Sequence, residues 1–291
     1  MYKFLIIFTL FFLSVAPAMA DEPCQRDGDC IVVGEWDISV AFGYGNKTNP
    51  LTSYDDIPLY VIPSIAYYGE NWFFDNFNFG YTLTEQESFT INLATSYSDE
   101  RAFFYRWDPS NIFLPQSASI NNAKDLRPSD DFGIEEVSQP AVLNELESRN
   151  FTVYGGVELF WYGKLGVLKI AAAHDLLNVH NGQEIDINWT YSLAISDWRF
   201  DLALKTAWKS SEVIDYYFGV RASENAYWSE KYQPNSDWSN SIELTTRYHI
   251  SPSWDLLLAA RYTQLANEII DSPIINEDYT SSYFVGAAYR F

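Results

Sequence analysis

The chain has 291 residues, with 39 acidic against 18 basic side chains and a formal charge of −21. That balance excludes nucleic acid as a partner, because phosphate binding needs clustered positive charge. Aromatic residues reach 18%, yet after the N-terminal leader no stretch approaches the roughly 18 uninterrupted apolar residues of a membrane-crossing helix.

The first predicted element is a secretory signal peptide over residues 1–20, "MYKFLIIFTLFFLSVAPAMA". It has one early lysine, Lys3, an apolar core from Phe4 to Val15, and small residues at Ala18-Met19-Ala20 where a signal peptidase cuts. The core is too short to anchor as a helix across about 30 Å of hydrocarbon. The mature chain is expected to start at Asp21, outside the cytoplasm. Residues 21–34 form an N-terminal periplasmic segment carrying "CQRDGDC". An oxidising compartment and the turn-forming Asp27-Gly28-Asp29 predict a disulfide between Cys24 and Cys30. Two cysteines without a nearby histidine make a poor zinc site.

From residue 35 onward the pattern alternates with period two over unusually long runs. "WRFDLALKTAW" sets Trp198, Phe200, Leu202, Leu204, Thr206 and Trp208 against Arg199, Asp201 and Lys205. "SWDLLLAARYTQL" sets Trp254, Leu256, Leu258, Ala260 and Tyr262 against Asp255, Ala259, Arg261 and Thr263. Globular strands average about 5 or 6 residues; a tilted strand crossing a bilayer needs about 9 to 11. Tryptophan and tyrosine stand at both ends of each apolar face with aliphatic residues between. A lipid-facing band has that arrangement, and the core of a soluble sandwich has no reason for it.

Twelve strands are predicted: 35–44, 57–68, 71–82, 88–98, 151–161, 164–174, 183–195, 198–208, 213–221, 238–249, 253–265 and 281–291. Backbone groups in lipid must all be satisfied internally, so the sheet must close. The fold class is therefore an all-β, closed antiparallel transmembrane barrel of the outer-membrane type, monomeric, over residues 35–291. The polar faces turn twelve charges into the lumen: Glu158, Lys169, Glu184, Asp186, Arg199, Asp201, Lys205, Glu243, Arg247, Asp255, Arg261 and Arg290. Their mixed signs predict a narrow, salt-bridged lumen in preference to an open pore. The chain ends in mid-alternation on Tyr283, Val285, Ala287, Tyr289 and Phe291, which resembles the signal read by the outer-membrane assembly machinery.

Two features fit this frame poorly. Pro58 and Pro63 fall inside the second strand, where a ladder needs N–H donors, so a bulge or break is expected in "IPLYVIPS". Counting back from a periplasmic C-terminus puts the long 99–150 connection on the periplasmic side, where barrels keep their turns short. Either that segment has a periplasmic task, or it folds into the lumen, or the strand count is off by one. Within it, Val142, Leu143 and Leu146 after Pro140 have near-helical spacing. The acidic run Asp130, Asp131, Glu135 and Glu136 reads as solvated charge.

"GYGNKTNPL", "DDIPLYVIPSIAYYGENWFFDNFNFGYTL", "HDLLNVHNGQE", "YYFGV", "DSPII" and the terminal "YFVGAAYRF" resemble, in order, the MipA/OmpV family of outer-membrane proteins. The resemblance runs from about Gly34 to Phe291. It implies a non-enzymatic barrel, with outer-membrane lipid and lipopolysaccharide around it. It also implies a scaffold role joining a membrane-bound lytic transglycosylase to a penicillin-binding protein; a small-solute channel and a surface adhesin are the alternatives. On this reading the partner surfaces are periplasmic, chiefly 99–150 and 175–182.

Signals for chemistry are weak. Of the three histidines, His174 and His180 flank Asp175 in "HDLLNVHNG", but no third metal ligand is set by spacing, and Asn181-Gly182 reads as a chain reversal. His249 stands apart, and no Gly-x-Ser-x-Gly motif occurs. No catalytic, cofactor or metal residues are assigned.

Overall fold

The structure is a computed structural model that describes residues 33–112 and 146–291. The signal peptide, Cys24, Cys30, the acidic run from Asp130 to Glu136, and Val142 and Leu143 lie outside the described residues.

Among the described residues, twelve antiparallel strands close into an up-and-down barrel in which each strand pairs with its neighbours in sequence and the last pairs with the first. The first six are β1 (Trp36–Lys47), β2 (Ile57–Tyr68), β3 (Trp72–Asp75), β4 (Asn78–Glu85), β5 (Phe89–Tyr97) and β6 (Val153–Gly163). The second six are β7 (Gly166–Asp175), β8 (Gln183–Ile195), β9 (Trp198–Lys209), β10 (Asp237–Ser251), β11 (Trp254–Gln264) and β12 (Tyr279–Arg290). Four short helices follow β5, β9 and β11: α1 (Pro109–Ile112), α2 (Ser211–Phe218), α3 (Ala226–Lys231) and α4 (Asn267–Ile270).

The outer surface has the banding expected of a wall in lipid. Trp208 faces Trp238 across β9 and β10, Leu204 faces Ile242, Leu202 faces Leu244, and Trp198 faces Tyr248. Tyr44 lies beside Tyr60 and Tyr283 at one rim; Trp254 lies on Tyr289, and Trp36 on Tyr67, at the other. Rings whose polar atoms stay wet thus bracket an aliphatic belt. The seam is continuous from Ser39 opposite Arg290 to Lys47 opposite Ser282. Tyr283, Val285 and Phe291 are exposed on its outward face.

Two predicted strands are corrected, and the corrections cancel in the count. The span predicted as one strand over 71–82 is a hairpin, β3 and β4, reversing at Asn76 and Phe77 with φ of 47° and 69°. Asn76 can make this turn because it also completes a ladder. Its N–H donates to the Ile65 carbonyl and its side-chain oxygen accepts the Ile65 N–H, both at 2.9 Å. The span predicted as a strand over 213–221 is helix α2. Val213, Ile214, Tyr217 and Phe218 fall on one helical face, all fully buried, and Gly219 ends it.

The second correction reverses the long connection. Seven strands, an odd number, follow Thr152, so the described ends of this connection, residues 98–112 and 146–152, lie at the rim opposite the start of β1 and the end of β12. Among the described residues every long connection (48–56, the 98–112 and 146–152 ends, 176–182, 210–236 and 265–278) gathers there. Among the described residues the rim bearing the start of β1 and the end of β12 has only the short turns 69–71, 86–88, 164–165, 196–197 and 252–253. Outer-membrane barrels keep short turns on the periplasmic side. The expectation of periplasmic connections at 99–150 and 175–182 is therefore overturned: the described ends of the first and the whole of the second belong to the outer rim.

The prolines have a structural reason. The β1–β2 register shifts between Phe42–Val61 and Gly45–Leu59, close to the expected bulge. On its other side β2 pairs with β3 only through residues 66–68. Pro58 and Pro63 thus lie on a stretch that, among the described residues, is a local sheet edge, where missing N–H donors are tolerated.

Candidate functional site: a capped, ion-paired lumen

Above the middle of the barrel the inward charges of β6 to β11 pair across neighbouring strands around a cavity of about 310 Å³. Lys169 pairs with Glu158 and Arg261 with Glu243. Lys205 reaches Asp186 at 2.9 Å. Lys209 bridges Glu184 at 2.8 Å and Glu100, from the outer-rim connection, at 2.5 Å. Lys47 donates to the Asn111 side chain at 3.1 Å and lies over the Phe103 ring. Opposite charges brought together in a narrow tube fill it and hold one another in place.

Below this tier an apolar belt of Ala41, Ile62, Leu257, Phe284 and Ala288 projects inward from β1, β2, β11 and β12. The Phe284 ring needs glycine around it. A Cβ at Gly43 would stand 2.8 Å from the ring, and one at Gly286 2.7 Å. Nearer the periplasmic rim lies a second charged tier. Arg199 meets Asp201 at 3.2 Å, Arg247 approaches Asp201 at 3.9 Å, and His249 meets Asp255 at 2.6 Å. Arg290 faces Ser39 across the seam.

The outer mouth carries an apolar cap. Leu51, Phe103, Leu265, Ala266, Ile269 and Ile274 pack against Val213, Ile214, Tyr217 and Phe218 of α2. Leu146, the described member of the predicted 140–146 helix, packs on this cluster. Arg149 ties the end of the long connection to the 210–236 loop. Its guanidinium holds Glu224 at 2.7 and 3.2 Å and donates to the Gly219 carbonyl at 2.9 Å. Burial raises the Glu224 carboxyl, but Arg149 and the N–H groups of Arg221 and Glu147 outweigh it and hold the group below its ordinary value.

The His174–Asp175–His180 stretch forms a turn. His174 is exposed, on the face opposite buried Asp175. Asp175 accepts the N–H groups of Leu177, His180 and Asn181 at 2.8–3.0 Å, as well as the Thr152 hydroxyl. Asn181 has a positive φ of 56°. His180 Nδ1 accepts the Gly182 N–H at 2.9 Å, leaving Nε2 to donate to the Tyr154 hydroxyl at 3.0 Å. Burial pushes this imidazole below its usual pKa, against the pull of the Asp175 carboxylate. Both ring nitrogens are used within the protein, so the ring serves the turn.

Sequence reasoning missed Lys47, Glu100, Lys209, Phe284, Arg149 and Glu224. Lys209 continues the alternation of Lys205 one step past the predicted strand end, so the signal was present. Glu100, Arg149 and Glu224 lie on irregular backbone, where no period marks an inward side chain.

Among solved structures, an FadL homologue of Pseudomonas aeruginosa aligns at 8% identity with a TM-score of 0.33, covering 87% of this chain and 88% of that one. MltA-interacting protein of Escherichia coli (strain K12) is 27% identical over 258 residues, 88% of this chain and 91% of the relative. Outer membrane protein OmpV of Vibrio cholerae serotype O1 is 27% identical over 128 residues, 43% of this chain and 49% of the relative. The family model described as MltA-interacting protein MipA matches residues 38–291, and the chain accordingly belongs to the MipA family of outer-membrane barrels.

Proposed function

We propose that this chain is a non-enzymatic outer-membrane scaffold that engages a lytic transglycosylase through its short-turn rim. The observation that carries the reading is a relative named MltA-interacting protein, aligned over 88% of this chain. Strand parity supports a specific surface, because among the described residues only the short turns, the start of β1 and the end of β12 lie on the rim facing the cell wall. Leu165, at the tip of the β6–β7 turn, is 78% exposed there, and an apolar side chain held out to water suits a partner contact. A penicillin-binding protein is the second partner implied by the family resemblance. The paired lumen and apolar cap weigh against a small-solute channel.

The test is capture of a purified membrane-bound lytic transglycosylase by the full-length barrel in detergent. Capture is expected to fall at least tenfold with Leu165→Asp and to survive deletion of residues 113–145. Loss on that deletion, with Leu165→Asp neutral, would overturn the rim assignment.

A further inference from the structure

Among the described residues the barrel wall is incomplete at one place. The β3–β4 hairpin stops at Asn76 and Phe77, bonded to Ile65 of β2. Above that tip β2 continues upward through residues 57–64, paired only with β1 among the described residues. On the far side β5 pairs with β4 only as far as Ala94. Thr95 is held to the Phe79 backbone by its hydroxyl, while Ser96 and Tyr97 pair with β6 alone. Two strand positions, about 10 Å at the usual spacing, are therefore not filled by any described strand. Part of this interval lies below the Tyr44–Tyr60 ring contact that marks the outer headgroup level, so it faces the outer leaflet. Exposed Tyr60, Val61, Phe77 and Phe79 surround it. Helix α1 packs beside β2 and turns Ser110 toward the lumen cavity.

The cavity behind this interval has a distinct chemistry. Asn78 Oδ1, Glu158 Oε2 and Asn188 Oδ1 belong to its lining side chains and have no hydrogen-bond partner among the described residues. Asn78 and Glu158 are 8% and 7% exposed. All three atoms are acceptors, and buried acceptors without donors are costly. The lining also carries six carboxyl groups (Asp99, Glu100, Glu158, Glu184, Asp186, Glu243) against five basic side chains (Lys47, Lys169, Lys205, Lys209, Arg261), a formal excess of one negative charge. The group that answers unfilled acceptors and one surplus negative charge is a primary ammonium, with three donors, no acceptor and a single positive charge. About 310 Å³ is at the lower end of ligand-pocket sizes.

We propose that the interval between β2 and β5 is a lateral portal, through which the ammonium head of a single-chain alkylamine dissolved in the outer leaflet enters the cavity while its chain stays in the lipid. The apolar cap over the outer mouth and the belt around Phe284 below make the side entry the apolar route.

The experiment is native mass spectrometry of the full-length barrel released from lipid nanodiscs after equilibration with dodecylamine, dodecanol or putrescine. Dodecylamine is expected to give an adduct that saturates at one per barrel, at least tenfold tighter than the other two probes. Asn78→Leu is expected to weaken the adduct about tenfold while leaving heat-modifiable gel mobility unchanged, since it removes an acceptor that has no partner. Ser96→Trp, which fills the cavity beside the portal, is expected to abolish it. Equal retention of dodecanol would overturn the ammonium assignment. Equal or tighter retention of putrescine would overturn entry from the membrane. Absence of a saturable adduct in a folded barrel would overturn the proposal altogether.

Discussion

Arg149 and Glu224 form a bidentate ion pair with both side chains fully withdrawn from solvent, although 75 positions separate them in the chain. Breaking such a pair from one side leaves a buried charge uncompensated, which typically costs about 3–5 kcal/mol. Arg149→Met is therefore expected to loosen the cap, read as faster protease cleavage in 210–236, while the barrel keeps its heat-modifiable mobility. The double variant Arg149→Met/Glu224→Leu should recover much of the loss. If the single variant cleaves like the parent, the clamp is not what secures the cap. The folded Glu224 pKa is depressed, so its contribution is complete above the unfolded value near 4.3 and is lost as pH falls through the folded one.

His180 titrates in a different window. Its folded pKa lies below the unfolded one, so above about 6.5 the neutral ring carries its full contribution to the turn. Acidification below that value favours the unfolded loop, which binds the extra proton more readily. The protection factors of amides 176–182, taken relative to the intrinsic base-catalysed rate at each pH, should fall between pH 7 and pH 5, and His180→Phe should flatten that dependence. An unchanged slope in the variant would assign the effect to another group.

Sidedness follows from strand parity and can be checked on cells. A cysteine at Tyr227, exposed on α3 in the 210–236 connection, should react with a membrane-impermeant maleimide on intact cells. A cysteine at Leu165 should react only after the outer membrane is permeabilised. The opposite pattern would invert the barrel.

Phe284 and its glycines form a close fit in the wall. Phe284→Ala should destabilise the barrel by about 3–5 kcal/mol, the usual range for a buried phenylalanine. Gly43→Val should be worse, because its Cβ would stand 2.1 Å from the Val285 carbonyl oxygen, which no side-chain rotation relieves. Urea unfolding from lipid vesicles measures both. Single-channel recording should find no stable conductance in the parent or in Lys205→Gln, since the α2 cap remains in place.

Much of the barrel was legible because lipid imposes a strict rule on each strand. One face must be apolar with aromatic ends, and that signature survives in β9, β11 and β12 without knowledge of their partners. The rule failed where segments leave the lipid. "SEVIDYYFGV" is rich in residues that suit strands, but its apolar residues recur at helical intervals, and packing on Leu51 and Ile269 decided the matter. "WFFDNFNFG" kept an even alternation through its turn, so only Asn76, a residue that tolerates positive φ, marked the reversal. The candidate site was half legible for the same reason: Lys205 and Asp186 stand on regular strands, whereas Glu100 and Arg149 do not.

The seam between β1 and β12 sets a timetable for biogenesis. Ser39 of β1 meets Arg290 of β12, so the β1 edge, with its unpaired backbone and outward rings, has no partner until β12 has been made. Folding from one end cannot hide that edge. A carrier must shield it during transit, and insertion must join ends that are about 240 residues apart in the register.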